Sequence, residues 1–293
     1  MAEQRGHSPL PRLPNFLVIG AMKSGTTSLY HYLRHHPQVF MPDTKEVNFF
    51  NPMRNWRRGV EWYEQQFEGA EGDAVAVGEA STSYTKFPWV RGVPARIAST
   101  LDDVRLVYVV RDPIERMRSH YLHNLAIGQE WRSIEDAFHK EPMYANISRY
   151  ALQIDQYVPY VPRDKLLVVQ SEDLQNERVA TLGRVFRFLG VDEGWTPPAI
   201  DREFYRSSDR RMNPSLRRRI RRIPQVRRMA MYAPGAVKRL KHTLTEGLPT
   251  AELDVDRASV SEDLRQALQD ILREDVARLR QYLGDDFHGW GVG

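Results

Sequence analysis

One segment near the amino terminus constrains the fold of this chain more than any other. Residues Phe16 to Gly20 form a short apolar run, which predicts a buried β-strand. A turn rich in glycine and hydroxyl residues follows, and apolar residues then recur at helical spacing from Ser28 to Arg34. A strand that turns into a helix through such a loop can hold an anion, because the glycines expose backbone N–H groups and the helix adds its dipole. We therefore predict an α/β domain with an anion-binding loop.

Further apolar runs extend this pattern along the chain. Three more buried strands are predicted at Ala74 to Val77, Val104 to Val110 and Leu166 to Val169. Helices are predicted from Pro113 to about Ile127 with Asp112 as N-cap, from Val179 to Leu189 with Gly190 as terminator, and from Ser261 to Leu283. Strands that are apolar on both faces and alternate with helices are typical of a parallel sheet with ligands at its carboxyl edge.

The predicted fold class is α/β, with a P-loop-like parallel β-sheet flanked by helices and a helical C-terminal extension. We expect a flexible leader over residues 1–14 and a single domain over residues 15–293. That domain would include a basic segment at residues 202–241 and a C-terminal helix at residues 260–283.

Composition excludes several classes of protein. The chain has no cysteine, which removes disulfide scaffolds, thiolate metal sites and cysteine nucleophiles. No apolar run approaches the roughly 18 residues of a membrane span, and Met1 to Pro14 lacks the apolar core of a signal peptide. We therefore expect a cytoplasmic protein, with a peripheral membrane contact left open.

The turn after the first strand departs from the loop of ATPases and nucleotide kinases. The spacing of Gly20 and Gly25 fits G-x-x-x-x-G-K-[ST], but Thr26 stands where the lysine should be. The only lysine of the loop is Lys23. The strand ending at Val110 is also followed by arginine rather than a magnesium-binding aspartate. The kinase or ATPase alternative therefore lacks its most informative residue.

Three motifs together resemble a different family. They are GAMKSGTTSL from Gly20 to Leu29, KEVNFF from Lys45 to Phe50, and VVRDPIERMRSHY from Val109 to Tyr121. In order and spacing they resemble sulfotransferases that use 3'-phosphoadenosine 5'-phosphosulfate (PAPS), in particular the carbohydrate (heparan-sulfate-type) branch and its bacterial relatives. The resemblance implies the sulfotransferase fold, PAPS as co-substrate, PAP as product, and no metal.

The resemblance also implies roles for residues that would bind the donor. Lys23 would lie on the oxygen that bridges sulfur and phosphorus and would stabilise the leaving phosphate. Arg111 and Ser119 would bind the 3'-phosphate. The 5'-phosphate would be held by the remainder of the loop: Ser24, Gly25, Thr26, Thr27 and Ser28. The equivalents of the family's closing loop, by position only, are Tyr205, Arg210 and Arg211.

On the acceptor side, the resemblance implies that Glu46 is the general base, and Glu79 is a second candidate. Asn48, Phe49 and Phe50 would border the substrate. Two positions depart from the family pattern, because Asn48 replaces a histidine and Ala80 replaces a lysine. The acceptor hydroxyl could belong to a carbohydrate, a lipid or a small molecule.

The basic segment is the strongest charge feature of the chain. Residues 202–241 contain 14 of the 42 lysines and arginines and only 2 of the 38 acidic residues. We interpret the segment as a lid and acceptor-docking element, and an anionic membrane surface is another candidate partner. Nucleic-acid binding is disfavoured, because no recognised module accompanies the charges. A non-catalytic basic binding protein remains the alternative outside enzymology.

Overall fold

The computed structural model describes residues 13–70, 74–197, 211–212, 251–252 and 258–292. Its contacts divide the chain into two compact units. The first comprises residues 1–116, 145–204 and 268–293, and the second comprises residues 117–144 and 205–267. The prediction of a single domain over residues 15–293 stays a prediction.

The first unit is built on a five-stranded parallel sheet of order β2-β3-β1-β4-β5. Its strands are β1 (Phe16–Gly20), β2 (Val39–Phe40), β3 (Ala76–Ala80), β4 (Arg105–Val110) and β5 (Leu166–Gln170). In the central strand, Val18 lies beside Ala80 of β3 and beside Val107 of β4. The ends of β3, β1 and β4 therefore meet at one edge of the sheet.

Helices connect these strands. In chain order they are α1 (Thr26–His35), α2 (Val60–Glu64), α3 (Val93–Thr100), α4 (Pro113–Ala126), α5 (Ile134–Lys140), α6 (Met143–Ser148), α7 (Tyr150–Asp155), α8 (Ser171–Asn176), α9 (Arg178–Leu189) and α10 (Glu262–Leu283). The predicted fold class is confirmed. The predicted strands and long helices agree with the structure within a few residues, except that β3 begins and ends later than predicted and that β2 was not predicted.

The sheet supplies the core of the first unit. The first four residues of β1 are all 0% exposed. On one face, Phe16 and Val18 pack with apolar residues of α1 and α9. On the other face, the ring of Tyr108 meets that of Tyr150 in α7 edge-on, with 5.9 Å between centroids. Burial on both faces explains the uninterrupted apolar sequence of the strands.

The C-terminal helix contributes a buried carboxylate to the first unit. Asp275 of α10 is 5% exposed and accepts hydrogen bonds from the backbone N–H groups of Ala151 (3.0 Å) and Leu152 (2.8 Å). These are orphan donors in the first turn of α7, whose own N-cap residue, Arg149, offers no side-chain acceptor. Asp275 therefore caps α7 from a distant part of the chain.

The second unit contains a buried polar cluster. Glu130 accepts two hydrogen bonds from the side chain of Arg132 (2.8 and 2.7 Å) and one from the hydroxyl of Tyr144 (3.2 Å).

Arg211–Met212 pairs antiparallel with Ala251–Glu252. The rest of the predicted lid at residues 202–241 lies outside the described residues. Within the described parts of the chain, no helix is both long enough and apolar enough to cross a bilayer.

We predict that Asp275→Ala lowers the free energy of unfolding by about 1–3 kcal/mol, because the N–H groups of buried Ala151 and half-buried Leu152 lose their acceptor. Urea denaturation measures the change. Glu274→Ala is the matched control, since Glu274 is the exposed neighbour on the same helix, and it should change stability by less than about 0.5 kcal/mol. Equal stabilities of the two variants would contradict the capping role.

Candidate active site

The loop between β1 and α1 adopts a backbone that few sequences permit. Gly25 lies in the left-handed region (φ 88°) at the N-cap of α1, where a Cβ would come 3.3 Å from Ser171 Oγ. Lys23 is also left-handed (φ 76°), an unusual conformation for a residue with a side chain. The N–H of Ala21 bonds to the carbonyl of Val109 (2.6 Å), which ties the loop to β4. The loop therefore has a defined shape at the N-terminus of a ten-residue helix.

The predicted donor residues of this loop differ in accessibility. Ser24 is 0% exposed and Thr26 is 4% exposed. Lys23, Thr27 and Ser28 are half-buried. The accessible polar groups of the loop are therefore one ammonium group, two hydroxyls and backbone N–H groups, which is suitable chemistry for a phosphate.

A tight turn after β3 packs directly against this loop. The turn is a 3-10 helix, Thr82–Thr85. Thr85 Oγ1 donates to the carbonyl of Ile19 (3.1 Å), and the N–H of Ser81 donates to the carbonyl of Val18 (3.0 Å). A Cβ on Gly20 would lie 2.0 Å from Thr85 Oγ1. Glycine is required at position 20 because the two chain segments touch there.

Glu46 lies over the start of the same turn. Its Oε2 accepts the N–H of Thr82 and its Oε1 accepts the hydroxyl of Thr82, both at 3.0 Å. Lys45 Nζ lies 3.1 Å from Oε1. The Glu46 side chain is 34% exposed, so the carboxylate is oriented by protein groups and still open to solvent.

The segment that carries Glu46 is bonded to β3 and the turn at successive positions. The N–H of Glu46 donates to the carbonyl of Ala80 (3.0 Å), and that of Asn48 donates to Ser81 Oγ (2.8 Å). The side chain of Asn48 donates to the carbonyl of Glu46 (2.7 Å) and accepts from Ser83 Oγ (2.5 Å). Glu46 and Asn48 both have left-handed backbones, with φ of 66° and 54°. These bonds hold a conformation that the chain would rarely adopt alone.

Glu79, the second predicted base, lies behind the turn and the segment that carries Glu46, and it is 0% exposed. Its carboxylate accepts hydrogen bonds from Tyr63 OH (3.0 Å), Tyr84 OH (2.5 Å) and Ser81 Oγ (2.5 Å). Burial raises the pKa of Glu79 to about 7, although the three hydroxyls act in the opposite direction. Glu79 is therefore a buried acid with filled hydrogen-bonding positions rather than an accessible one.

Phe49 and Phe50, predicted to border the substrate, are both 0% exposed. The ring of Phe49 stacks on Tyr63 with 4.2 Å between centroids, and Phe50 meets Tyr84 edge-on at 5.7 Å. This placement favours a packing role under the site over direct contact with a substrate.

Two cationic residues near the loop and Glu46 were not predicted from the sequence. Arg116 of α4 is 0% exposed, and its guanidinium donates to Ser148 Oγ (2.6 Å) and to the carbonyl of Met22 in the loop (3.5 Å). Lys86 follows the turn and is half-buried. Burial lowers the pKa of Lys86, Glu46 opposes that shift, and Arg116 and Arg54 reinforce it. Only Arg116 had a sequence signal, since it lies within the third motif.

The remaining predicted residues lie at the end of β4 and beyond. Arg111 is half-buried, and its carbonyl accepts the hydroxyl of Tyr150 (2.8 Å). Asp112 caps α4 as predicted, since its Oδ1 accepts the N–H groups of Ile114 and Glu115. Ser119 of α4 is 7% exposed. Tyr205 and Arg210 lie outside the described residues, and only the backbone of Arg211 is described.

A family model for the sulfotransferase domain matches residues 13–223. The chain belongs to the sulfotransferase family. The match includes the loop at Gly20–Gly25, the segment that carries Glu46, and α4, so all three motifs lie within the family's own domain. The membership confirms the family resemblance and favours it over the nucleotide-kinase alternative.

Relatives with curated names confirm the resemblance to the heparan-sulfate branch of the sulfotransferases. The chain is 31% identical over 207 residues to the human bifunctional heparan sulfate N-deacetylase/N-sulfotransferase 3, a match that covers 61% of this chain and 22% of the relative. It is 30% identical over 203 residues to the human heparan sulfate glucosamine 3-O-sulfotransferase 3B1, covering 66% and 49%. It is 40% identical over 111 residues to the membrane-associated sulfotransferase kil1 of Dictyostelium discoideum, covering 37% and 22%.

These matches therefore span from about a fifth to about half of the relatives' lengths. A solved structure, the sulfotransferase from Alicyclobacillus acidocaldarius, shares the fold with a TM-score of 0.67 and 24% identity. That comparison covers 95% of this chain and 98% of the bacterial one. This comparison confirms the sulfotransferase fold.

We predict that Gly20→Ala destabilises the sulfotransferase by about 1–3 kcal/mol, because the new methyl group overlaps Thr85 Oγ1. The same substitution should cost less in a Thr85→Ala background, where the nearest remaining neighbours of the methyl group are 3.1–3.2 Å away. A double-mutant cycle followed by thermal unfolding measures this coupling. If the free-energy changes of the two substitutions are strictly additive, the methyl group at position 20 does not clash with Thr85.

Proposed function

We propose that this protein transfers a sulfuryl group from PAPS to a hydroxyl group of a carbohydrate acceptor by direct in-line displacement. The observation that carries the proposal is the juxtaposition of a phosphate-type loop with the turn that orients Glu46, since Thr85 bonds to β1 and Thr82 bonds to Glu46. The family membership supports the same reaction class. PAPS supplies the sulfuryl group, and the protein has to align the reactants and manage charge and a proton.

On the donor side, Lys23 would stabilise the leaving phosphate through its ammonium group. Ser24, Gly25, Thr26, Thr27 and Ser28 would hold the 5'-phosphate, chiefly through backbone N–H groups and the accessible hydroxyls of Thr27 and Ser28. Arg111 and Ser119 would bind the 3'-phosphate, as the family resemblance implies, and Tyr205, Arg210 and Arg211 would close over the donor. The left-handed backbone at Lys23 supports a functional role, because such strain is concentrated at ligand sites.

On the acceptor side, Glu46 would remove the proton of the attacking hydroxyl. Its partial exposure supports this role, because a general base must come within hydrogen-bond reach of the proton it takes. Its bonds to Thr82 orient the carboxylate before the acceptor arrives. Glu79 is a weaker candidate, since it is 0% exposed and already accepts hydrogen bonds from three hydroxyl groups.

A carbohydrate is the acceptor class that the neighbouring surface supports best. Residues 53–62 form a cationic aromatic segment, which Asn55 ties to the carbonyl of Val47 beside the proposed base (2.7 Å). Arg54 and Arg58 are exposed, and the guanidinium of Arg58 lies 4.1 Å from the ring centroid of half-buried Trp62. Aromatic rings can stack on sugars. The names of two relatives, which specify heparan sulfate, point in the same direction.

A lipid acceptor at an anionic membrane is the second candidate. The positive charge of the basic segment 202–241 favours this lipid candidate, because an anionic membrane attracts basic residues. One relative is also named membrane-associated. A transfer screen with radiolabelled PAPS over glucosamine oligosaccharides, phenols, alcohols and lipids separates the candidates. Transfer to lipid alone would reject the carbohydrate proposal.

We predict that the protein binds PAP more tightly than ATP with magnesium in titration calorimetry. Arg111→Ala should weaken the binding of PAP by about tenfold or more, since a charged hydrogen bond to the 3'-phosphate is lost. The same variant should bind AMP, which lacks that phosphate, with unchanged affinity. An equal loss for both nucleotides would remove Arg111 from the 3'-phosphate site, and a preference for ATP with magnesium would support a kinase.

We predict that Glu46→Gln lowers kcat by about 10²–10⁴-fold, the range expected when a general base is removed. Its affinity for PAP should stay within about twofold of the wild-type value, because the loss concerns proton transfer rather than donor binding. Glu68→Gln is the matched control, since Glu68 is an exposed glutamate outside residues 53–62. Full activity of Glu46→Gln would exclude Glu46 as the base.

A further inference from the structure

The buried carboxylate of Glu79 is surrounded by hydroxyl groups that all donate to it. Tyr63 comes from α2, and Ser81 and Tyr84 come from the segment after β3. Tyr63 and Tyr84 share Oε1, whereas Ser81 uses Oε2. Burial raises the pKa of both tyrosines well above the ordinary value, so both remain protonated and able to donate.

Two of these hydroxyls also accept backbone N–H groups from the segment that carries Glu46. Ser81 Oγ accepts from Asn48 (2.8 Å), and Tyr84 OH accepts from Phe50 (3.3 Å). A hydroxyl has one proton, so donating it to Glu79 leaves its oxygen lone pairs facing the incoming N–H groups. Glu79, as an acceptor on both oxygens, therefore fixes the direction in which the hydroxyls of Ser81 and Tyr84 donate.

We propose that Glu79 is a positioning residue whose ionised carboxylate orients the hydroxyls of Ser81 and Tyr84 so that they hold the backbone of residues 46–50, and with it the base Glu46. This inference rests on the proposed function for its catalytic consequence, but not for the structural effect on residues 46–50. It gives the buried acid a role that requires no contact with substrate.

Protonation of Glu79 would reverse one of these bonds. The groups that face it are Tyr63, Ser81, Tyr84 and, by charge, Glu46, which raises its pKa further. Because the pKa rises from 4.5 to about 7 on folding, the folded state binds this proton more tightly than the unfolded state. The contribution of Glu79 to stability therefore falls as pH rises from about 4.5 to 7. Over the same window kcat should rise, since the ionised form positions the base.

A matched pair of tyrosine variants tests the proposal without removing the carboxylate. Tyr84→Phe and Tyr63→Phe each delete one hydroxyl from the same oxygen of Glu79, but only Tyr84 also holds a loop N–H. In amide hydrogen exchange on the full chain, Tyr84→Phe should speed exchange at Phe50 by about tenfold, the effect of one lost hydrogen bond. Tyr63→Phe should change it much less. Equal effects of the two variants, or none from Tyr84→Phe, would overturn the proposal.

Glu79→Gln provides the second test, because an amide places a donor where one oxygen accepts. Exchange at Asn48 and Phe50 should quicken and kcat should fall by about 10–100-fold, as expected for a misplaced catalytic group. PAP affinity should stay within about twofold, and Glu79→Asp should recover part of the loss. Wild-type kcat should decline below pH 7 towards the level of Glu79→Gln. If Glu79→Gln has the same exchange rates and the same kcat as the wild-type protein, the inference is rejected.

Transfer from radiolabelled PAPS to a glucosamine oligosaccharide measures kcat in these variants, and exchange is measured on the protein alone. If the wild-type protein transfers no sulfate, the proposed function fails while the exchange comparison still decides whether Glu79 holds the loop. If transfer occurs but the tyrosine pair behaves alike, the positioning role fails while the proposed function stands.

Discussion

The parallel pairing of β1 with β3 on one side and β4 on the other is the interaction on which the candidate site depends. Parallel strands end at the same edge of a sheet, so the three loops that leave them must lie side by side. Backbone bonds then cross between neighbours, from Ala21 to Val109 and from Ser81 to Val18. The contact between Gly20 and Thr85 leaves no space for a side chain at position 20. The spacing of the loops is thus set by the sheet rather than by the loops.

Burial of charge imposes a second constraint on this edge. Glu79 and Arg116 are both 0% exposed, and an isolated buried charge costs several kcal/mol. The protein offsets that cost with directional bonds, three hydroxyl donors for Glu79 and the Ser148 and Met22 oxygens for Arg116. Such bonds also restrict the segments that supply them. The hydrogen bonds that offset the burial of Glu79 therefore also orient the segments around the proposed site, as electrostatic stabilisation of a transition state requires.

Periodicity and local motifs were sufficient to predict the sheet, the glycine-containing turn between β1 and α1 and the cap at Asp112, because each depends on residues close together in the chain. They were not sufficient for β2, which has only two residues and is defined by its pairing with β3. The environment of Glu79 also could not be predicted from the sequence. Tyr63 lies 16 residues away from Glu79 in the chain and reaches it through packing against Phe49. Accessibility of the two candidate bases is likewise a tertiary property. Sequence alone therefore named both glutamates but could not assign them different roles.

The two departures from the family pattern have a physical explanation in this structure. Asparagine tolerates the left-handed conformation better than most residues, and Asn48 has a φ of 54° while bonding to the carbonyl of Glu46. Its role at this position is thus accounted for by backbone geometry. Ala80 is 1% exposed and packs in the apolar core of the first unit. Lys45 Nζ lies 3.1 Å from Glu46 Oε1, and half-buried Lys86 interacts electrostatically with Glu46 from the far end of the turn. A basic side chain therefore lies beside the proposed base, although the lysine of the family pattern is absent at position 80.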